Sequence, residues 1–440
     1  MKILVVGSGG REHALVWKLA QDSKKPILFC APGNAGTAEL ATNVPISAED
    51  VPKLVAWAKV NRPDLTVVGP EVPLCAGLVD ELEKEGLRAF GPSQAAARIE
   101  GSKIFAKEVM LAAGVPTARA QTFTDATVAV GALVQFCMPV VIKADGLAAG
   151  KGVTVATTIE EAEKAIRESL VDHIFGAAGA KILVEEFLEG EEVSVLALVD
   201  GEHVVMLSSA QDHKRAFDND EGSNTGGMGA YSPVPVITPE LERIIEYEVF
   251  GRVLAELRRR GIIYKGVLYA GLMITKKFGP MVLEFNCRFG DPETQVILPR
   301  IEGDLIPALE ACIDGTLTCD LVKWKPLFCA CVVMASGGYP GLYRKGLPIT
   351  GLNMVRKLFP NVAVFHAGTK MVGSILETSG GRVLSPTATG DTLAKALAIA
   401  YQVVDGINFE GSHFRHDIGE KALAMYRARN MASQYLDTVS

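Results

Sequence analysis

The chain has 440 residues, of which 48% are apolar and 22% are charged, and its formal net charge is −7. These proportions are ordinary for a globular protein, and the acidic balance gives no electrostatic reason to expect a nucleic acid or an anionic membrane surface as partner. The eight cysteines form no CxxC pair and no apolar run approaches the roughly 20 residues that span a bilayer, so a cytoplasmic protein with free thiols is expected.

The first hundred residues alternate between strand and helix patterns. Strands are predicted at 2–7, 26–33, 63–71 and 87–92, and helices at 11–20, 50–60 and 76–86. This alternation favours a doubly wound parallel sheet, in which ligands bind beyond the carboxyl ends of the strands. Three such ends fall at 7–11, 31–37 and 69–71.

From about residue 101 the order of strands and helices becomes irregular. Helices are predicted at 102–114, 159–170 and 239–260, and strands flank a glycine-rich loop within 139–158, a bend within 181–201 and a hairpin turn within 266–289. From about residue 327, strands and turns precede one helix at 392–407. We therefore expect three domains, with boundaries of 1–100, 101–325 and 326–440.

Two glycine-rich segments invite a nucleotide interpretation, and neither matches a standard fingerprint. In VVGSGGREH the sixth position of GxGxxG is Glu12, and no acidic residue ends the second strand, so an NAD site is disfavoured. A phosphate site for another ligand is indicated, since helix N-termini bind anions, and a tight turn without a ligand stays open. DGLAAGKGV is one residue short of a Walker loop and links two strands, so a plain hairpin loop also stays open.

A third polar feature interrupts the predicted strand at 281–289. Because side chains alternate across a strand, Glu284, Asn286 and Arg288 should project from one face. The opposite face is expected to carry Leu283, Phe285, Cys287 and Phe289. Three polar groups on one face of a core-like strand indicate a site, although an ion pair between Arg288 and Glu284 is the simpler alternative.

A series of segments in a fixed order resembles the ATP-grasp superfamily, and within it the ligases that join glycine to 5-phosphoribosylamine in purine biosynthesis. The segments include GSGGREHAL, APGNAGT, EGSK, IKADGLAAGKGV, EEFLEGEE, QDHKR, NTGGMGAYSP, EFNCRFGDPETQ and FHAGTK. The resemblance implies an α/β protein with an N-terminal Rossmann-like domain, an ATP-grasp fold with a mobile lobe at about 120–190, and a small α+β C-terminal domain. It also implies that ATP phosphorylates glycine, and that the amine attacks the resulting glycyl phosphate.

The resemblance assigns ATP and a metal ion to specific positions. The residues matched to the nucleotide are Lys103, Lys143, Gly150, Lys151, Gly152, Glu185, Glu186, Leu188 and Glu192. The lysines match phosphate contacts, Glu185 with the backbone of Glu186 and Leu188 matches the adenine edge, and Glu192 matches the ribose hydroxyls. Glu284 and Asn286 would supply two oxygens to Mg²⁺ or Mn²⁺. A solvated lysine at 103 and an acidic turn at 192 stay open as simpler alternatives.

The resemblance also implies substrate contacts. Asp212, Lys214 and Arg288 are the expected catalytic residues, the first two on segments that match a flexible loop, although Asp212 could instead cap a turn. The phosphoribosylamine site is expected to include Gly9, Gly10, Asn34, Gly36, Thr37, Pro70, Glu71, Asp291, Pro292 and Glu293. His366, Thr369 and Lys370 are weaker candidates, for which a surface hairpin is the simpler interpretation.

Other functions stay open from the residues alone. They are an ATP-grasp ligase for another acid, such as a carboxylase of the biotin type, an NAD-binding oxidoreductase, and a non-catalytic nucleotide-binding regulator. The regulator should lack the metal pair or the lysines, and this chain has both. A monomer with small-molecule substrates is expected.

Overall fold

The computed structural model of the protein describes residues 1–147 and 152–428. Within these ranges, no helix combines the length and the apolar character needed to cross a membrane. The architecture is a mixed α/β arrangement of three sections, the second and third of which share one sheet.

The first section is a five-stranded parallel sheet in the order β3-β2-β1-β4-β5. Its strands are β1 (Lys2–Gly7), β2 (Ile27–Pro32), β3 (Thr42–Asn43), β4 (Leu65–Val68) and β5 (Ala89–Phe90). Its helices are α1 (Gly10–Ala20), α2 (Val51–Asn61), α3 (Glu71–Cys75), α4 (Leu78–Lys84) and α5 (Gln94–Gly101). The predicted doubly wound sheet is confirmed, and its apolar strands are buried because helices cover both faces.

A small lobe follows, with its own sheet and core. After α6 (Lys103–Ala113), its elements are β6 (Ala120–Phe123), α7 (Ala126–Ala132), β7 (Val140–Ala144), β8 (Val153–Ala156), α8 (Ile159–Leu170) and β9 (Ile182–Glu186). The strands pair antiparallel in the order β6-β9-β7-β8. The two helices cover one side of this sheet and close a separate apolar core.

The floor of the second section is a four-stranded antiparallel sheet. The strands of this stretch are β10 (Glu191–Asp200), β11 (Val204–Met206), β12 (Gln211–Asp212), β13 (Arg215–Phe217), β14 (Glu221–Asn224), β15 (Gly229–Ser232), β16 (Lys265–Thr275) and β17 (Gly279–Asn286). The floor takes the order β11-β10-β16-β17. The predicted helix at 239–260 is α9 (Pro239–Ile245), a π-helical turn and α10 (Arg252–Arg259).

An irregularity in the floor corrects one prediction. The register between β16 and β17 shifts after Gly271, which pairs with Glu284, because Leu272 pairs with Val282 and Leu283 is left as an extra residue. Such a bulge turns two neighbouring side chains to the same side. Leu283 therefore lies with Glu284 on the cavity side, and its predicted position on the opposite face is wrong.

The last section shares its main sheet with the middle section, and its β23-β24 pair forms a small sheet of its own. Two helices, α11 (Glu293–Ile297) and α12 (Ile306–Asp314), precede the last section, whose own helices are α13 (Leu352–Leu358), α14 (Leu393–Asp405) and a further one at residues 420–428. Strands β18 (Ile301–Glu302) and β19 (Lys323–Trp324) also precede it, and its own strands are β20 (Phe328–Val332), β21 (Met334–Ala335), β22 (Ala363–His366), β23 (Thr369–Val372), β24 (Ile375–Thr378) and β25 (Arg382–Gly390). One sheet runs β12-β15-β20-β25-β21, with β22 beside β25. The segments matched to a flexible loop thus include strands of a sheet that crosses the predicted boundary at 325.

Candidate active site

A cavity of about 960 Å³ lies where the three sections meet. Arg11 of the first section, Lys143 of the lobe, Glu284 of the floor and Arg382 of the last section all line it. Its walls carry both carboxylates and cations, which suits a ligand with several phosphate groups and a metal ion.

Glu284 and Asn286 sit side by side on the cavity face of β17, as the alternation predicts. The Glu284 side chain is 33% exposed, and the Lys214 ammonium lies 3.7 Å from its Oε1. Burial raises the pKa of Glu284, but Lys214 and Lys143 outweigh it and hold the pKa below its ordinary value. An ionised carboxylate beside an amide oxygen fits the donor set of a hard divalent cation.

Arg288 is not paired with Glu284. Its Nε donates to Glu71 at 3.2 Å, and its Nη2 lies 3.0 Å from Glu100 Oε1 and donates to Asn286 Oδ1 at 3.2 Å. The two carboxylates come from α3 and α5 of the first section, on the other side of the cavity. The simpler ion-pair interpretation of the strand face is therefore wrong, and Glu284 keeps its oxygens for a ligand.

Glu185 is buried between two lysines. Its carboxylate lies 2.6 Å from Lys143 Nζ and 3.0 Å from Lys107 Nζ, and Lys143 also donates to the Leu283 carbonyl at 2.9 Å. Sequence reasoning missed Lys107. Its spacing of four residues from Lys103 on α6 puts both on one helix face, and that signal could have found it.

Beside this triad, an apolar cluster fills the gap between lobe and floor. It consists of Ala118, Leu188 and Met281, with Met273 and Leu283 packed against them. The Glu186 N–H donates to the Arg119 carbonyl at 3.0 Å, so it is engaged within the protein. Flat apolar walls beside charged groups suit a nucleobase next to its phosphates.

Further residues matched to the nucleotide lie around the same cavity. Lys103 donates to the Gly146 carbonyl at 3.3 Å, and Lys214 donates to Glu192 Oε1 at 2.5 Å. Gly152 also lines the cavity. The predicted residues Gly150 and Lys151 lie outside the described residues.

Asp212 and Glu293 are two carboxyl groups of the cavity wall, Glu293 buried and Asp212 partly buried. Glu293 Oε1 accepts hydrogen bonds from Ser194 at 2.8 Å and from Tyr269 at 2.6 Å. Asp212 Oδ1 is buried and has no hydrogen-bond partner within the described ranges. Burial raises the pKa of Asp212 well above its ordinary value, and the Glu293 carboxylate raises it further.

Asp291 connects the floor to the last section. Its Oδ1 accepts from Gln295 at 2.7 Å, and its Oδ2 lies 3.2 Å from Arg382 Nη2. Burial raises the pKa of Asp291, but Arg382 and Arg11 outweigh it, so the pKa stays below its ordinary value. Pro292 and Glu293 follow at the start of α11.

The remaining candidates of the first section belong to its turns. Asn34 Nδ2 donates to the Ser8 and His366 carbonyls at 2.9 and 2.7 Å, and its Oδ1 accepts from the Gly36 and Thr37 N–H groups. The cavity lining includes Glu71 but not Gly9, Gly10, Asn34, Gly36, Thr37 or Pro70. Their substrate roles stay predictions.

The weaker candidates of the last section lie at its contact with α1. The His366 N–H donates to His13 Nδ1 at 2.8 Å, and His366 Nδ1 lies 3.0 Å from Thr369 Oγ1. Lys370 is exposed, 3.7 Å from Glu377. None of the three lines the cavity.

Comparison with known families accounts for nearly the whole chain. Three family models of phosphoribosylglycinamide synthetase match this chain: the N-domain model matches residues 1–100, the ATP-grasp (A) domain model matches 101–294 and the C-domain model matches 329–421. The chain belongs to the phosphoribosylglycinamide synthetase family. The phosphoribosylamine–glycine ligase of Vibrio vulnificus is 49% identical over 96% of this chain and 99% of its own length. That of a Nostoc species is 51% identical over 95% and 99%.

Solved structures agree with this family. The crystal structure of phosphoribosylamine–glycine ligase from Thermotoga maritima has a TM-score of 0.83 and 34% identity, and covers 95% of this chain and 100% of that one. The biotin carboxylase domain of Hydrogenobacter thermophilus 2-oxoglutarate carboxylase, solved with ADP, magnesium and bicarbonate, has a TM-score of 0.72 over 94% of this chain. At 16% identity it shares the fold alone. The predicted ATP-grasp architecture is confirmed.

Membership of the synthetase family decides between the alternatives. An NAD-binding oxidoreductase is excluded, and a ligase is favoured over a non-catalytic regulator. Like Lys107, Arg382 lines the cavity but was not singled out from the sequence, because its segment GGRVLSPTATG shows only a strand pattern.

Proposed function

We propose that this protein joins glycine to 5-phosphoribosylamine at the expense of ATP, giving glycinamide ribonucleotide, ADP and phosphate in purine biosynthesis. The observation that carries the proposal is the cavity itself, in which Glu284, Asn286 and the lysines face one another in a phosphoribosylglycinamide synthetase chain. Phosphoribosylamine–glycine ligases about half identical to this chain, aligned over almost their full lengths, support it.

The nucleotide occupies the side of the cavity between lobe and floor. The apolar cluster around Leu188 packs against adenine, while Lys103, Lys143 and Lys214 surround the phosphates. Glu185 holds Lys143 in place through their 2.6 Å contact. This pairing orients the ammonium, which can then neutralise phosphate charge as the γ-phosphoryl group is transferred.

Glu284 and Asn286 are the proposed holders of a magnesium ion. The lowered pKa of Glu284 keeps the carboxylate ionised near neutral pH, as a hard-cation ligand must be. A bound Mg²⁺ would neutralise charge on the triphosphate. Manganese as a substitute, a monomeric state, a cytoplasmic location and the domain boundaries stay predictions.

Glycine is positioned for two successive displacements. Its carboxylate oxygen attacks the γ-phosphorus and ADP leaves, which forms glycyl phosphate. The amine nitrogen of phosphoribosylamine then attacks the acyl carbon, the carbon–oxygen bond to phosphate breaks, and the amine proton departs with phosphate. Arg288 suits the negative oxygens, and Asp212, whose buried carboxyl lacks a partner among the described residues, suits the glycine ammonium.

Phosphoribosylamine is expected between the floor and the first section. Asp291 and Glu293 offer acceptors for its ribose hydroxyls and amine. Glu71 lines the same side, although Arg288 already engages its carboxylate. The proposed phosphoribosylamine site also includes the turns at the carboxyl ends of the first section's strands, because ligands bind at such ends in open α/β sheets. The residues of these turns are Gly9, Gly10, Asn34, Gly36, Thr37 and Pro70.

The test follows ADP after protein, Mg-ATP, glycine and freshly prepared phosphoribosylamine are mixed. ADP and glycinamide ribonucleotide should appear together, and only with glycine. Alanine and serine are the controls, because each adds a side chain to the amino acid. ADP formation with other amino acids but not with glycine would contradict the substrate, and AMP as product would contradict phosphoryl activation.

A further inference from the structure

Arg382 reaches the cavity from the last section, and nothing in the proposed chemistry uses it. Arg382 is the first residue of β25, and its side chain is 21% exposed. Nη1 donates to the carbonyl oxygens of Gly226 and, at 2.8 Å, of Asp291, while Nη2 lies 3.2 Å from Asp291 Oδ2. One guanidinium therefore joins two segments that both border the cavity.

Gly226 is held from two sides by the last section. Its N–H donates to the Tyr339 hydroxyl at 3.0 Å, and its carbonyl accepts from Arg382. A Cβ at this position would lie 3.0 Å from Arg382 Cζ, so glycine allows the close approach. We call Gly226, Tyr339, Arg382 and Asp291 the Gly226 clasp.

The clasp holds Gly227 against the reacting end of the cavity. Gly227 has φ +107°, and a Cβ on it would lie 2.5 Å from Asp212 Oδ1 and 2.4 Å from Pro292 Cδ. The Gly227 backbone thus lies directly against the Asp212 carboxyl, whose buried Oδ1 has no hydrogen-bond partner in the described parts of the chain. Moving this segment would open the carboxyl and its surroundings to water.

We propose that Arg382 is a positioning residue that keeps water away from the acyl phosphate by holding the Gly226 clasp closed. The proposal rests on the proposed function. In the cavity, glycyl phosphate can react in two ways. Attack by the amine forms the amide and releases phosphate, whereas attack by water at the same carbon returns glycine and phosphate and wastes the ATP.

The contacts of Arg382 with Gly226 and Asp291 require a side chain that donates hydrogen bonds to both residues at once. A guanidinium donates in two directions from a planar group, which lysine cannot reproduce from a single ammonium. Hydrogen bonds to charged groups are each strong enough to shift an equilibrium by roughly tenfold or more. Losing Arg382 should therefore shift the partition between amine and water by about tenfold.

The experiment measures ADP and glycinamide ribonucleotide in the same reaction, and ADP released with glycine but without the amine. The variants are Arg382→Ala, Arg382→Lys and Tyr339→Phe, and the matched control is Arg344→Ala, an exposed arginine of the same section paired with Glu410. The ratio of ADP to product does not depend on the folded fraction, so a purely structural defect leaves it unchanged.

The parent and Arg344→Ala should give a ratio near one. The excess of ADP over product, divided by product, measures attack by water relative to attack by the amine. Arg382→Ala should raise this excess about tenfold above the parent value, Arg382→Lys by less, and Tyr339→Phe by a few fold, since it removes one neutral partner of Gly226. If Arg382→Ala fails to fold, Arg382→Lys and Tyr339→Phe decide. An excess of ADP over product equal to the parent's in the folded variants would overturn the role of Arg382 and leave the proposed function standing. No product from the parent protein would overturn both.

Discussion

At the scale of single residues, the question on β17 is whether Glu284 binds a ligand or forms an ion pair with Arg288. Glu284 and Arg288 lie four residues apart, yet Arg288 turns to Glu71 and Glu100 of the first section. Among the residues that the structure describes, Glu284 has one ion pair, the 3.7 Å contact between its Oε1 and Lys214 Nζ. The carboxylate is thus charged and still available, which a metal ligand requires.

Replacing both Glu284 and Asn286 with alanine should lower kcat by roughly 100-fold or more, because both metal-binding oxygens are removed. The half-saturating Mg²⁺ concentration should rise as well. Glu302→Gln, a change at an exposed carboxylate, is the control for altered charge. Turnover that survives undiminished in the double variant would contradict the metal assignment.

Glu185 is a second residue whose neighbours decide its behaviour. Burial alone raises its pKa, but Lys143 and Lys107 outweigh burial and hold the pKa below its ordinary value. A carboxylate with a depressed folded-state pKa stabilises the protein at pH values above its unfolded pKa of about 4.3. That contribution is lost as the pH falls through the lower folded-state value.

Glu185→Gln should therefore lower the free energy of unfolding by roughly 3 kcal/mol at pH 7, because two buried ammonium groups lose their counter-charge. The deficit relative to the parent should shrink as the pH falls below about 4.3, because the carboxylate of the unfolded parent then takes up a proton, and it should vanish only below the lower folded-state pKa. Urea unfolding at pH 7 and at pH 3.5 measures both effects. Glu302→Gln again serves as the exposed control, and a deficit that persists unchanged at low pH would argue against the charge explanation.

At the scale of elements, two turns with left-handed glycines differ in what surrounds them. Gly227 joins β14 to β15 with φ +107°, and its missing Cβ would overlap Pro292 and Asp212. Gly373 joins β23 to β24 with φ +60°, and nothing lies within 4 Å of its missing Cβ. Both the backbone conformation and the packing therefore favour glycine at position 227, whereas at position 373 the backbone conformation alone favours it.

Gly227→Ala should cost more stability than Gly373→Ala. Both pay about 1–2 kcal/mol for an L-residue at positive φ, and Gly227→Ala adds about 1–3 kcal/mol of overpacking. Thermal melting of the two variants compares these costs directly. Because the overlap falls on Asp212, only Gly227→Ala should also lose turnover, and equal behaviour of the two variants would contradict the close approach.

At the scale of the whole molecule, the cavity exists only where the sections join. Arg11 of α1 donates to the Phe289 carbonyl at 3.0 Å, and the His366 N–H of β22 donates to His13 of α1. In the shared sheet, Gly229–Ser232 of the middle section pairs with β20 of the last. The predicted boundary at residue 325 therefore cuts through a hydrogen-bonded core.

A fragment of residues 1–325 should be unstable and inactive, because β15 loses its neighbour β20 and exposes the buried Ala230 and Tyr231. Co-expression with residues 326–440 should restore turnover if the two parts associate. Solubility, melting and the ADP assay make the comparison. Cooperative melting of the fragment alone would contradict this expectation and support independent domains.

The sequence by itself determined those elements whose signals are local, and it proposed candidate site positions that stay predictions. The helix predicted at 159–170 has those bounds because the Thr158 hydroxyl accepts from the Glu161 N–H at 3.2 Å, a local cap that the sequence displays. The buried run of β1 likewise identified a parallel sheet. Such signals depend on residues a few positions apart.

Only the tertiary structure decided which charges meet. The partner of Arg288 is 217 positions away at Glu71, and the clasp brings Gly226 to Arg382 across 156 positions. The bulge that turns Leu283 into the cavity arises from the register of two strands. Periodicity is a local property of the chain, whereas ion pairing and register depend on how packed elements approach one another in space.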